Sequence, residues 1–252
     1  MSDYYNPPRT RNLYDPNSKK PFKLSRSKIE LFKNCPLCFY VDRRLRVGQV
    51  PGYPFNLNSA VDTLFKKEFD TYRAKGTPHP LMKEYGIDAV PFQHKKMDEW
   101  RENFKGVQFH HEPTNLIITG AVDDIWVKPD GELIVADYKA TSKNAEVTLD
   151  AGWQIGYKRQ AEIYQWLLRQ NGFKVSDTAY FVYANGIRDK DEFANKLEFK
   201  TIIIPYTGND DWVEPAIFDI KKCLDSGEIP SCEKDCDFCK YRKAFDEVTH
   251  KG

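Results

Sequence analysis

No apolar run in the 252-residue chain approaches the roughly 18 to 20 residues that a membrane span needs. The opening stretch MSDYYNPPRTRNLYDPNSKK lacks an apolar centre, which argues against a signal peptide and for a cytoplasmic location. There is no GxxxxGK(S/T) loop and no Rossmann fingerprint, so no ATP-driven motor is expected in this chain. Internal repeats and long low-complexity linkers are missing too, which excludes a solenoid. Charge of one sign is scarce: 38 basic against 37 acidic residues leave a formal net charge of +1, so the whole-chain field does not advertise nucleic acid.

What is present is a core and local charge. Hydrophobic residues make up 40% of the chain and aromatics 14%, enough for a globular fold. Residues 1–28 collect Arg9, Arg11, Lys19, Lys20, Lys23, Arg26 and Lys28 against Asp3 and Asp15, with Tyr4, Tyr5 and Tyr14 interleaved. Such a segment is either a solvated arm or a grip for a phosphate backbone with stacked bases. The six cysteines are Cys35, Cys38, Cys223, Cys232, Cys236 and Cys239. In a cytosolic chain their clustering favours a metal over disulfides. The clusters lie near opposite ends, so a shared metal clasps the termini of one domain.

Residues 1–24 read as an irregular basic arm, and residues 25–252 as a single domain that includes a cysteine-rich tail over 228–242. A helix is expected from LSRSKIELFKNC, capped by Ser25 or Ser27 and interrupted by Pro36. FNLNSAVDTLFKKEFDTYRAKG predicts a second, with Val61, Leu64, Phe65, Glu68 and Phe69 at helical spacing and Gly76 as its stop. A helix is expected within HKKMDEWRENF. LIITGAVDDIWV and ELIVADYKAT then form a β-hairpin around KPDGE, followed by the amphipathic helix GWQIGYKRQAEIYQWLLRQNGF, which ends at Gly172. TAYFVYAN and EFKTIIIP are two more strands, and a polar helix near 210–226 precedes the tail. The order is that of a mixed α/β sandwich.

The hairpin carries the chemistry. Pro129, Asp130 and Gly131 suit a three-residue loop with a left-handed glycine, which pairs Lys128 with Glu132 and sets Asp123 opposite Asp137. A two-residue loop would set Asp124 there instead; the placement of Pro129 favours Asp123. Opposed carboxylates in an apolar setting repel, and a divalent cation such as Mg²⁺ or Mn²⁺ is their natural partner. Strand alternation puts Lys139 on the same face as Asp137, where an ammonium group can orient water or offset charge on a phosphate.

These residues bear a resemblance. GAVD followed by IVADYKAT resembles the G-x-x-D and D-x-K elements of the PD-(D/E)xK nuclease superfamily, and is most similar to RecB-type nucleases and CRISPR adaptation exonucleases with a cysteine cluster. The resemblance implies a restriction-endonuclease-like mixed sheet flanked by helices, with the termini joined by a cysteine metal site. It implies metal-binding roles for Asp123 and Asp137, a catalytic Lys139 and a further ligand in the carbonyl of Tyr138. Gln160 and Tyr164 resemble the Q-x-x-x-Y motif that faces substrate; read alone, they are a surface residue and a core residue. Asp62, with Glu68 behind it, stands where the family offers a metal-binding histidine or glutamate; a solvent-facing acid is the other reading.

SRSKIELFKNCPLCFYVDRRL resembles the segment that supplies the first cysteine of the iron–sulfur nucleases of this group. The resemblance implies a [4Fe–4S] cluster on Cys35, Cys232, Cys236 and Cys239. The spacing C-x3-C-x2-C departs from the usual one, and Phe245 stands near where a last cysteine is expected. The pairs Cys35–Cys38 and Cys236–Cys239 are equally a zinc pattern. Cys223 stands apart as a packed thiol. The resemblance spans roughly residues 25–242. It implies a Mg²⁺- or Mn²⁺-dependent DNA nuclease, an exonuclease of repair, recombination or CRISPR adaptation, acting beside a helicase or another nuclease-complex subunit. The alternatives are a non-catalytic nucleic-acid-binding module and a zinc-stabilised interaction module. His79, His94, His110 and His111 read as ordinary surface or core histidines, with the His110–His111 pair a lesser candidate for substrate contact.

Overall fold

The computed structural model describes residues 8–249, so Asp3, Tyr4 and Tyr5 of the basic arm lie outside the described residues. The elements run β1 (Phe22–Ser25), α1 (Arg26–Asn34), α2 (Pro36–Arg43), α3 (Asn56–Lys75), α4 (Pro80–Glu84), β2 (Val90–Pro91), α5 (Met97–Arg101), β3 (Val107–His111), β4 (Leu116–Gly120), β5 (Asp124–Val127), β6 (Leu133–Thr141), α6 (Ile155–Gln170), β7 (Thr178–Gly186), β8 (Phe199–Thr207), α7 (Val213–Asp225) and α8 (Asp237–Thr249). The described residues form two compact units: residues 8–53, 110–118 and 211–249 make the first, and residues 54–109 and 119–210 the second. No described helix is long and apolar enough to cross a membrane.

In the first unit, Ser25 caps α1 in extended conformation, and Pro36 both ends that helix and opens α2 at a position where its missing N–H costs nothing. β1 belongs to a three-stranded sheet of order β1–β4–β3. α7 packs on α1 and α2. Asp42 on α2 is fully buried and paired with Arg9 (2.5 Å), Lys28 (2.7 Å) and Arg43 (2.7 Å). Tyr14 packs edge-on against Phe22 and donates its hydroxyl to Asp225 at 2.5 Å. Arg9 and Tyr14 of the arm are thus engaged inside this unit.

The second unit is built on a five-stranded mixed sheet of order β2–β5–β6–β7–β8. β6 and β7 are parallel, with α6 as their crossover, and the other neighbours are antiparallel. Ile134, Ala136 and Tyr138 of β6 join Phe65 and Phe69 of α3, Trp126 and Val182 in one core. The buried stripe of α3 is Phe65, Phe69 and Arg73, spaced by four, whereas Leu64 is 62% exposed. Gly76 closes α3 in the left-handed region at φ 62°.

Several expectations are corrected. The run LIITGAVDDIWV is two strands: it breaks at residues 121–123, so β4 and β5 belong to different sheets. The reason is the buried Asp124, whose charge partners require a bend that a β-branched pattern does not announce. Residues 22–24 of the supposed arm belong to β1, the helix in HKKMDEWRENF shrinks to Met97–Arg101, and α2, α4, β2, β3 and α8 are additions.

Asp42 supplies the stability test. Burial pushes its carboxyl up, but hydrogen bonds from Arg43 and Lys28 outweigh it and hold the group below the usual carboxylate range. Its stabilisation is therefore complete above the unfolded value near ~3.9 and is lost as pH falls through the folded value. Asp42→Asn is expected to cost about 3 kcal/mol at pH 7, chiefly by stranding the buried guanidinium of Arg43. Thermal melts at pH 7 and pH 3 should show the gap to wild type narrowing in acid; a constant gap contradicts this account.

Candidate active site and cysteine centre

The acidic site lies wholly in the second unit. Gly131 is left-handed at φ 83°, its N–H donates to Lys128 O at 3.0 Å, and Lys128 N–H donates to Glu132 O at 2.9 Å. This is the three-residue loop, and it sets the pair Asp124↔Ala136 at the far end of the β5–β6 ladder. Asp123, the next residue out, falls opposite Asp137. Its Oδ2 accepts the backbone N–H of Tyr138 at 3.0 Å, which ties the acid to the catalytic-motif strand directly.

Adjacent acids take opposite duties. Asp124 is fully buried and accepts from Arg73, from Arg101 at 3.0 Å, from the Tyr138 hydroxyl at 2.6 Å and from Ile125 N–H at 2.8 Å. Arg101 also donates to the carbonyl of Asp123 at 3.0 Å and grips both oxygens of Asp70 at 2.9 Å. The buried pair thus fixes the bend, which leaves the Asp123 carboxylate free to turn toward Asp137.

Tyr138 faces α3, stacking on Phe65 at 5.1 Å, so alternation sends Asp137 and Lys139 to the other face, toward α6. There Gln160 Nε2 donates to Asp137 Oδ1 at 2.8 Å and to the Tyr164 hydroxyl at 3.1 Å. The Lys139 ammonium lies against Asp137 Oδ2, an oxygen that otherwise takes no hydrogen bond of regular geometry. Lys139 also sits 4.6 Å from the centre of the Tyr157 ring. Lys66, one turn beyond Asp62 on α3, bridges Asp62 at 2.8 Å and Asp123 at 3.3 Å.

The electrostatics follow from burial and crowding. Asp137 is 1% exposed, and desolvation pushes its carboxyl up to about 7; Asp123 adds to the rise and Lys139 opposes it. Burial alone would lower Lys139, but Asp137 and Asp123 outweigh it and raise its pKa. Asp62 is raised by burial and then by Asp123. Three carboxylates face two ammonium groups, so the cluster is short of positive charge. That deficit, on oxygen donors, fits a hard divalent cation.

All five expected residues, Asp123, Asp137, Lys139, Gln160 and Tyr164, share one network, and Asp62 joins it through Lys66. Glu68 does not; it pairs with His79 at 2.9 Å. The other histidines lie elsewhere: His94 stacks on Trp100, His110 contacts Asn115, and His111 contacts Thr114 and Glu214. Sequence reasoning missed Lys66, Arg73, Arg101 and Tyr157. The i,i+4 spacing from Asp62 could have flagged Lys66; the arginines lie far off in sequence and carried no signal.

The cysteine centre belongs to the first unit. Cys35 caps α2 and Cys38 lies in its first turn; Cys236 immediately precedes α8 and Cys239 lies in its first turn. The four sulfurs lie within 4.8 Å of one another, with Cys35–Cys239 at 3.8 Å, Cys38–Cys236 at 3.6 Å and Cys38–Cys239 at 3.7 Å. Cys232 is exposed and outside this group, and Cys38 takes the fourth corner. The set thus departs from the one the resemblance implies, because two helix starts each present an i,i+3 pair while Cys232 precedes α8 by more than a turn. Phe245 is half exposed, and Cys223 is half-buried, its thiol pushed up by burial.

With fold and geometry in hand, the class is defined. The sequence model of the PD-(D/E)XK nuclease superfamily matches residues 56–244, three quarters of the chain, and the chain belongs to that superfamily. The match spans every residue of the acidic network together with Cys236 and Cys239. No curated protein matches the sequence.

The motif glycine has a physical reason. A Cβ on Gly120 would meet the Tyr164 ring at 2.6 Å and Leu167 at 3.2 Å. Gly120→Ala should therefore displace Tyr164, and through it Gln160 and Asp137, at a cost of about 1–3 kcal/mol. Thermal melts together with phosphodiesterase assays check this; an alanine variant with wild-type stability and activity would remove the packing argument.

Proposed function

We propose that the protein is a metal-dependent nuclease that hydrolyses DNA phosphodiester bonds, acting from strand ends. The observation that carries this is the approach of Asp123, at the bend before β5, to Asp137 on β6, with Lys139 held on Asp137. Asp123, Asp137, Asp62 and the carbonyl of Tyr138 are the groups that would hold Mg²⁺ or Mn²⁺, which supplies Lewis-acid charge to the phosphodiester when bound. Gln160 fixes Asp137 by donating to one oxygen, leaving the other for the site. Lys139, kept protonated by its carboxylate neighbours, offers its ammonium to the phosphate charge that grows as water attacks in line. Lys66 keeps Asp62 and Asp123 together when no ion does. Absence of a motor signature supports action beside a helicase or within a nuclease complex.

Purified protein incubated with single- and double-stranded DNA and Mn²⁺ should cleave, and EDTA should stop it. Lys139→Ala and Asp137→Ala should each lose on the order of a hundredfold or more in rate. Covalently closed circles should resist if ends are required. Wild-type inertness toward every DNA form, or variants as fast as wild type, would defeat the reading.

For the cysteine centre, the separations favour one ion. Thiolates about 2.3 Å from a tetrahedral zinc stand about 3.8 Å apart. The sulfurs here are separated by 3.6–3.8 Å. A [4Fe–4S] cluster places a different iron behind each thiolate and holds the sulfurs well beyond mutual contact. The donor set suits either group, and the separations support zinc on Cys35, Cys38, Cys236 and Cys239 over the cluster. The site's contribution is folding energy in the first unit. Metal analysis should find one zinc per chain in a colourless protein. Cys38→Ser should lose that zinc and lower the melting temperature by about 5 °C or more, while Cys232→Ser should keep it. Brown protein containing four irons, or metal loss on Cys232→Ser alone, would reverse the assignment.

A further inference from the structure

We propose that Trp153 and Lys143 form a stacking platform for an unpaired nucleobase of the substrate strand, an inference that rests on the nuclease reading above. Trp153 is 62% exposed, which leaves much of its indole open to a ligand. It is not a stray surface residue. Its ring packs edge-on against Tyr157 at 5.4 Å, and the face of Tyr157 carries the Lys139 ammonium at 4.6 Å. Two ring contacts thus join the exposed indole to the catalytic-motif lysine.

The platform is held rigid from below. Trp153 sits in a short 3₁₀ turn, Gly152–Gln154, ahead of α6. The next side chain, Gln154, is 1% exposed; its Oε1 accepts Ala151 N–H at 2.9 Å and its Nε2 donates to Thr148 O at 2.8 Å. Burying Gln154 pins the turn and turns Trp153 outward. Lys143 is anchored as firmly: Asn185 Oδ1 accepts its N–H at 2.8 Å and Asn185 Nδ2 donates to its carbonyl at 3.0 Å. Its ammonium stands 5.9 Å from the centre of the Trp153 ring.

An exposed indole with a cation over its ring, one step from the acidic cluster, matches the chemistry of a base stacked on the other face with its attached phosphate. Both faces of a base inside a duplex are occupied by its neighbours. An indole can therefore stack only on a base at an end or in a single strand. Trp153 accordingly selects unpaired strand next to the scissile bond, and Lys143 takes the adjoining phosphate.

The test uses the full-length protein in EDTA, where binding is read without cleavage, by fluorescence anisotropy of labelled oligonucleotides. A single abasic site is walked along a single-stranded oligonucleotide. In wild type one abasic position should weaken binding about tenfold, in keeping with a single base–aromatic stack. Trp153→Ala should bind the intact strand about tenfold more weakly and be indifferent to that abasic position, while Trp153→Phe stays within about threefold of wild type. Binding to a covalently closed circular duplex, which offers neither an end base nor an unpaired one, should be unchanged in Trp153→Ala. Because the abasic walk is read on unmutated protein, it stands even if a variant folds poorly. A flat walk in wild type, absence of single-strand binding, or equal losses for single strand and duplex in Trp153→Ala each overturns the platform. Cleavage with a flat walk removes the platform and spares the nuclease reading; a position-dependent walk without Mn²⁺-dependent cleavage does the reverse.

Discussion

The register of one short hairpin governs the acidic site. Side chains alternate along a strand, so a slip of one residue between β5 and β6 would move Asp137 from Asp123 to Asp124 and turn the motif inside out. The three-residue loop, closed by the left-handed Gly131 and the Lys128–Glu132 pair, fixes that register through backbone geometry alone. Everything downstream inherits it. Lys139 reaches Asp137 because it follows two residues later, and Gln160 reaches the same carboxylate because α6 is the crossover between β6 and its parallel neighbour β7.

Such an arrangement is electrostatically expensive. Three carboxylates stand within reach of two lysines, and Asp137, almost fully buried, keeps its charge only at the cost of desolvation. The chain offsets part of the cost by sending Asp124 into a saturated cage of two arginines, a tyrosine hydroxyl and a backbone N–H. That cage is complete and Asp137 is not, which is the useful contrast. A satisfied buried acid is structural, whereas one whose second oxygen meets chiefly the Lys139 ammonium has capacity left for another partner.

Much of this was legible from local chemistry. Pro129–Gly131 announced the loop, the i,i+4 spacing of Gln160 and Tyr164 announced one helical face, and Gly76 announced the end of α3. The parts that were not legible are those decided by distant partners. The apolar run from Leu116 to Val127 reads as one strand because nothing local marks residues 121–123 as a bend. The bend is set by Arg73 and Arg101, and no spacing ties an arginine to an acid more than twenty residues away. Two-residue β2 has too little periodicity to register. The cysteine grouping was legible only as two alternatives: spacing offered either Cys38 or Cys232 as the fourth member, and the start of α8 that separates them was not expected.

The near-neutral charge of the whole chain now has a local interpretation. A nuclease that gripped its substrate through bulk positive charge would bind every polyanion it met, and its affinity would collapse with salt. Here the described basic residues of the arm are partly absorbed within the first unit, Arg9 by Asp42, while Tyr14 is held by Asp225. Lys66 and Lys139 are matched by carboxylates in the second. Affinity must then come from a few oriented contacts, and these gain most where they are rigid before substrate arrives. The buried Gln154 beneath Trp153 and the paired Asn185 bonds to Lys143 are that kind of preorganisation. In the proposed reading, such a site would tell a strand end from continuous duplex by shape and stacking, with little help from net charge.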